Sequence, residues 1–282
     1  MVRDDEIEYW NNEGGTRWKA NAERVAVIFK PVTRRLLDLA RPQLGQRVLE
    51  VGCGTGPTIG ALADRVGPDG TVVALDVSRM LLDVAQTANA SRSNIEFLLA
   101  DAQTHDFGSE RFDLIVSQFG VMFFEEPMQS FRNLRRALTP AGRVVFACWR
   151  DISANPFFFV PVNAAKPFAP PQPPNDSDGP GPFAFAERAR LERILLDSGF
   201  SEIEIVQHDE SVVVDASCDA EAAARRMTGF GPTAWLLSEV DEETKSKAAA
   251  AIAEAFRPYI GPDGLRLGAG IWLVSASAIS VV

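Results

Sequence analysis

Arg47-Val48-Leu49-Glu50-Val51-Gly52-Cys53-Gly54-Thr55-Gly56 joins an apolar run to three glycines at alternate positions. Val48 to Val51 reads as a short buried strand, because a strand covered on both faces needs no polar alternation. Glu50 therefore has some purpose other than the strand ladder. Glycine frees the backbone for unusual dihedrals and leaves no Cβ between main chain and ligand. A helix is predicted to start at Pro57 or Thr58, where proline suits the first turn. Strand, glycine turn and helix in this order make a nucleotide-type site at the carboxyl edge of a parallel sheet.

The spacing narrows the ligand. A dinucleotide fingerprint, G-x-G-x-x-G, would place its third glycine at position 57, which is Pro57. A P-loop needs Gly-Lys-Ser/Thr, and no lysine lies between Lys30 and Lys166. Glu50-x-Gly52-x-Gly54-x-Gly56 instead resembles motif I of the class I S-adenosylmethionine-dependent methyltransferases. The resemblance is close over about 46–149 and looser beyond, nearest in character to the ubiquinone and menaquinone methyltransferases. It implies an α/β fold: a Rossmann-like, doubly wound, mostly parallel seven-stranded sheet with an antiparallel last strand. N-terminal helices and a small cap built from insertions complete it.

The following segments supply the further elements such a site requires. Gly70 to Asp76 reads as a second strand ending in an acid about twenty residues after the loop, where a carboxylate can accept ribose hydroxyls. Ser78 is a cap candidate for a helix through Met80, Leu81, Leu82, Val84 and Ala85. A third strand, Asn94 to Leu99, ends in Ala100-Asp101-Ala102; a fourth, Phe112 to Ser117, runs into Gln118-Phe119. A helix at about 127–138 and the turn Pro140-Ala141-Gly142 lead to a fifth strand, Arg143 to Trp149. On the resemblance, S-adenosylmethionine is the cofactor. Its partners are Glu50, Gly52, Cys53, Gly54, Gly56, Asp76, Val77, Met80, Asp101, Ala102, Ser117 and Gln118. Asp101 would hold the adenine amino group, the amide after it would meet the ring, and the Ser117-Gln118 edge would face the methionine part.

Composition excludes several alternatives. The 282 residues are 46% apolar and 23% charged, as in soluble globular proteins, with a net charge of −10. Such a charge repels phosphate backbones, so nucleic acid is not expected as a substrate. Cys53, Cys148 and Cys218 show no C-x-x-C spacing, suit a reducing compartment and offer no metal framework. No signal peptide and no membrane span are read, which places the protein in the cytoplasm; a homo-oligomer is compatible with the sequence.

The domain organisation expected is N-terminal helices over the site (1–45), a cofactor-binding core (46–149) and a lid (150–185). A core continuation (186–214), a helical cap insertion (215–262) and a final core strand (263–282) follow. Tyr9, Trp10, Arg17 and Trp18 are pocket candidates, with Trp10 and Arg17 preferred because a cofactor carboxylate wants a cation or ring N–H. The alternative for the aromatic residues is packing on the sheet. The lid is dense in proline and phenylalanine and is read as lacking regular structure. Phe119, Met122, Phe123, Phe157 and Phe158 suggest a small, mostly apolar methyl acceptor: quinone-like, aromatic, polyketide or fatty acyl.

Methyl transfer from a sulfonium is an in-line displacement that depends mainly on approach geometry. A general base is needed only when the acceptor must lose a proton. His105 and Gln118 are the catalytic candidates, the alternative for His105 being a loop hydrogen bond. The competing functions are a non-catalytic S-adenosylmethionine-binding protein of the same fold and a nicotinamide-dependent oxidoreductase.

Overall fold

The structure, a computed structural model, describes residues 6–171 and 179–278. Four helices come first: α1 (Glu6–Asn11), α2 (Glu13–Ala20), α3 (Ala22–Ile28) and α4 (Lys30–Ala40). α2, α3 and α4 are separate helices, with Pro31 in the first turn of α4, where its missing N–H costs no helical bond. Strands and helices then alternate: β1 (Arg47–Val51), α5 (Ile59–Val66), β2 (Thr71–Asp76), α6 (Arg79–Ala88), β3 (Ile95–Leu99), β4 (Phe112–Gln118), α7 (Pro127–Ala137) and β5 (Leu138–Trp149). The later elements are α8 (Pro156–Ala165), α9 (Arg188–Asp197), β6 (Ser201–Asp215), α10 (Ala220–Met227), α11 (Gly231–Leu236), α12 (Glu242–Phe256), β7 (Ile260–Gly261) and β8 (Gly264–Ser277).

The sheet order is β3-β2-β1-β4-β5-β8-β6, with the two-residue β7 pairing β8 off this path. Pairs β1–β2, β1–β4, β2–β3 and β4–β5 are parallel. β8 runs antiparallel to β5: Arg150 N–H donates to Gly270 O while Ala278 N–H donates to Gly142 O. The last strand is therefore antiparallel and inserted between its two predecessors, as the resemblance implied. The order reverses between β1 and β4, which makes their carboxyl ends the switch point where ligands bind. Val48, Leu49 and Val51 in β1 and Leu114, Ile115 and Val116 in β4 are buried. Each such side chain contributes about 1.5–3 kcal/mol by leaving water, so these two strands are the firmest part of the floor.

Among the described residues the chain forms two compact units. One gathers 6–148, 179–208 and 271–278; the other gathers 149–171 and 209–270. In the second unit the expected lid contains a helix, α8, rather than irregular chain; the middle of that lid, 172–178, lies outside the described residues. The two prolines of α8 are tolerated for different reasons. Pro156 sits in the first turn, and Pro161 lies in a helix whose Phe157, Phe158 and Ala165 are buried alongside it. Phe157 and Phe158 stack edge-on, 4.8 Å between ring centres, with Trp149 5.0 Å from Phe158 and Phe230 6.3 Å from Phe157. Within the expected helical insertion α11 and α12 are separate helices, with Asp241 accepting from Thr244 N–H to cap the second.

Candidate active site

The site grows from the carboxyl ends of β1, β2 and β4. Gly52 and Gly54 leave β1 with φ of 67° and 55°, in the left-handed region. A Cβ on Gly52 would lie 2.8 Å from Gly120 Cα, and one on Gly120 would lie 2.6 Å from Val51 O. The backbones after β1 and β4 thus approach too closely for any side chain at either position. Gly120 reaches this place because Phe119 adopts φ of 66°, a strained conformation for a bulky residue. Phe119 is held there by its N–H donating to Ala147 O at 3.0 Å and by its ring 5.7 Å from Phe29.

Ser117 ties the same corner. Its hydroxyl donates to Val51 O at 2.8 Å and accepts from Gly120 and Val121 N–H, each at 3.2 Å. Donor and both acceptor positions are used within the chain, so its side chain shapes the loop and has nothing left for a ligand. Gln118 Oε1 accepts from the Thr33 hydroxyl of α4 at 2.8 Å, which links the β4 end to the N-terminal helices.

Two acids flank the glycine loop. Asp76 Oδ2 accepts from Gly54 N–H at 2.7 Å and Oδ1 from Ser78 N–H at 2.9 Å. Its carboxyl is nonetheless raised above the usual carboxylate range, burial outweighing the amides of Ser78, Gly54 and Val77. Glu50 is 1% exposed, and its Oε1 accepts a short hydrogen bond from the Thr58 hydroxyl. Its Oε2 is buried without a partner. Burial first, and the neighbouring Asp76 second, push the Glu50 carboxyl from 4.5 to about 8. Cys53 packs inward with Ile59, Ala74, Leu82 and Ala85, leaving only its main chain to the loop face. Burial, then the two carboxylates, hold its thiol protonated.

Asp101 lies on the next turn, Oδ1 accepting from Gln103 N–H at 2.9 Å. Ala102 is buried, its carbonyl taking the Asn133 side-chain amide at 3.0 Å. His105 is half-buried with its ring 4.8 Å from Phe107, and its carbonyl accepts from the same Asn133. Ser78 occupies the N-cap position of α6 without the expected side-chain cap bond. Its hydroxyl is buried without a partner.

The N-terminal helices cover this edge. Asn11 Nδ2 donates to Val77 O at 2.9 Å, and its Oδ1 accepts from Arg79 N–H at 3.2 Å. A Cβ on Gly54 would stand 3.5 Å from Trp18 Nε1. Trp10 meets Phe123 edge-on at 5.1 Å, Tyr9 at 5.4 Å and Trp18 at 6.1 Å. Thr16 reaches the Met80 sulfur at 3.9 Å. Arg17 instead pairs with Glu13 one turn earlier in α2. Asn11→Ala removes both clips and is expected to loosen α1 and α2 by about 1 kcal/mol, read as about fivefold faster amide hydrogen exchange over 6–20.

The structure thus brings together Trp10, Glu50, Gly52, Gly54, Asp76, Val77, Met80, Gln118, Phe119 and Phe123 in one unit. It does not bring all candidates to that edge with a free face. Met122 is 1% exposed, and Phe157 and Phe158 are buried in the packing of the other unit, so none of the three offers a ligand surface. Their apolar character came from cores, not from a pocket. Asn11, Thr33, Thr58 and Gly120 join the site without having been chosen from sequence, and Trp18, a less favoured pocket candidate, stands beside Gly54. Gly120 alone carried a signal, a glycine just past a strand end at the sheet's switch point.

Residues 48–142 match the family model described as a methyltransferase domain. Aklanonic acid methyltransferase of Streptomyces sp. (strain C5) is 31% identical over 121 residues, 42% of this chain and 55% of that protein. Nocamycin O-methyltransferase of Saccharothrix syringae is 34% identical over 119 residues, 42% of either chain. The chain therefore spans about half the length of these relatives. Demethylmenaquinone methyltransferase of Staphylococcus aureus is 28% identical over 214 residues, 66% of this chain and 89% of that one. Among solved structures, phosphoethanolamine N-methyltransferase 2 of Haemonchus contortus, in complex with S-adenosyl-L-methionine, superposes with a TM-score of 0.59 at 16% identity, covering 99% of this chain and 61% of that one. No helix among the described residues is long and apolar enough to cross a membrane. With its matched domain over 48–142, its strand order and its loop at the β1–β4 switch point, the chain carries a methyltransferase domain similar to those of the small-molecule methyltransferases named above.

Proposed function

We propose that the protein transfers a methyl group from S-adenosylmethionine to a small, mostly apolar acceptor of quinone-like, aromatic, polyketide or fatty acyl character. The observation that carries this reading is the unpartnered, buried Glu50 oxygen beside a backbone turn that admits no side chain at Gly52. Both features suit a cationic ligand lying against main chain, and the residues present fit the cofactor. Asp76 keeps unused lone pairs for ribose hydroxyls, and Asp101 with Ala102 borders the position for adenine. Gly52, Cys53, Gly54 and Gly56 contribute backbone; Glu50, Trp10 and Gln118 face the methionine end. Val77 and Met80 flank the nucleoside, and Arg17 would have to leave Glu13 to reach a carboxylate.

Bound there, the cofactor supplies an electrophilic methyl on a sulfonium whose departure leaves a neutral thioether. The chain's own part is orientation and exclusion of water. Trp10, Trp18 and Phe123 pack edge-on beside the loop, and Phe119 turns the chain at the β4 end with φ of 66°. Gln118, linked to Thr33 at the end of β4, is the candidate to orient an acceptor oxygen. His105 accepts a proton only if the acceptor atom carries one. The relatives named for aklanonic acid, nocamycin and demethylmenaquinone support an acceptor of this kind. Titration calorimetry with S-adenosylmethionine and S-adenosylhomocysteine is expected to show one site for each; binding of neither overturns the proposal.

A further inference from the structure

Glu50 and Asp76 are two buried acids on either side of one loop, 1% and 7% exposed. Asp76 reaches the loop through Gly54 N–H, and Glu50 reaches its far end through Thr58, where α5 begins. No ion pair among the described residues involves either carboxyl. The titratable group acting on Glu50 is Asp76 from β2; Cys53 in the loop is itself acted on by both acids, and its thiol stays protonated. β4 offers Ser117 and Gln118, α5 offers Thr58, and α2 keeps Arg17 on Glu13; none balances the pair. Two adjacent carboxyls without a cation cannot both ionise in a buried site, so one retains a proton. Glu50 is the one that retains it: Asp76 accepts two backbone N–H bonds that favour its charged form, whereas Glu50 has a single hydroxyl donor and an orphan oxygen.

Resting on the cofactor assignment above, we propose that S-adenosylmethionine binding is coupled to loss of the Glu50 proton, the cofactor's positive charge displacing it to bulk solvent. The orphan Oε2 then becomes half of a carboxylate facing a cation. One O–H bond of Glu50 breaks, its electron pair staying on the carboxylate while buffer takes the proton, and no other covalent bond changes. A carboxyl raised to about 8 is protonated throughout pH 5.5–7, whereas the bound state needs it ionised. Affinity therefore rises with pH across that window. The cofactor's amino group stays protonated below about 7.7 and does not contribute. The same raised value has the opposite sign for folding. The cofactor-free fold holds more protons than the unfolded chain, so its stability falls as pH rises from 4.5 to about 8.

The test is calorimetry of S-adenosylmethionine binding at pH 6.5 in two buffers of different ionisation enthalpy, with affinity followed across pH 5.5–7. Release of about one proton and a roughly tenfold gain in affinity per pH unit are expected. The neutral thioether 5′-methylthioadenosine is expected to release none. Glu50→Gln should bind the cofactor with a flat pH profile, which also separates Glu50 from the only two histidines, His105 and His208. The wild-type profile needs no variant, so the proposal stays testable if Glu50→Gln fails to fold. Binding without proton release, equal release by the thioether, or unchanged release in Glu50→Gln each overturns this inference and leaves the cofactor assignment standing. No binding at all overturns both.

Discussion

Asp76→Asn is expected to weaken S-adenosylmethionine binding by about a hundredfold, or ~2.7 kcal/mol, while leaving a folded protein. The carboxylate uses both oxygens at once, one on Gly54 N–H and one on Ser78 N–H. An amide has one oxygen. Whichever way it turns, its NH2 meets one of those donors, and a buried N–H loses its acceptor at a cost of about 1–3 kcal/mol. That cost falls on the glycine loop and on the start of α6, the two backbone segments that define the nucleoside side. The lost charge removes one of the pair's two acids and any charge-assisted bond to ribose hydroxyls. Thermal unfolding should show a loss of about 2 kcal/mol, a midpoint lower by roughly 4–8 °C for a chain of this size. Calorimetry at a temperature well below that midpoint isolates the binding term. An affinity within threefold of wild type would contradict a cofactor seat at Asp76.

The core of this site was legible because its signals are local and periodic. Continuous apolar runs gave β1, β2 and β4, and the acids at 50, 76 and 101 sit at strand ends where a parallel sheet binds ligands. The same reasoning expected N-terminal helices over the site but not their contacts, because a helix face shows in sequence only as periodicity. Nothing in Tyr9-Trp10-Asn11 says that Asn11 will clip the turn at 77–79 or that Trp18 will stand over Gly54. The sequence reading also did not weigh that a cation one turn after Glu13 has a partner close by, as Arg17 does. In the second unit, proline content suggested irregular chain, yet Pro156 is a helix starter and Pro161 is carried by the burial of Phe157 and Phe158. Burial of those rings explains why composition alone suggested a pocket there. Ser117 shows the converse. It lies in β4 as the strand reading had it, and its hydroxyl bonds within the chain.

Gly52→Ala is expected to cost about 2–5 kcal/mol and to abolish measurable cofactor binding, for two separable reasons. An L-residue at φ of 67° gives up about 1–2 kcal/mol. A Cβ 2.8 Å from Gly120 Cα then meets backbone, which cannot rotate away, adding about 1–3 kcal/mol of overpacking. Two further substitutions separate these contributions. Gly45 has φ of 78° with nothing within 4 Å of an added Cβ, so Gly45→Ala carries the conformational cost alone, about 1 kcal/mol. Gly120 has φ of −79°, ordinary for alanine, while its Cβ would lie 2.6 Å from Val51 O. Gly120→Ala therefore carries the close approach alone, at about 2 kcal/mol. If the ends of β1 and β4 part once to admit either methyl, the double variant Gly52→Ala/Gly120→Ala will cost less than the sum of the singles. Denaturant melts of all four variants measure this directly. Equal losses for Gly45→Ala and Gly52→Ala would mean that the two backbones are not pressed together, and that the loop owes its glycines to dihedral angle alone.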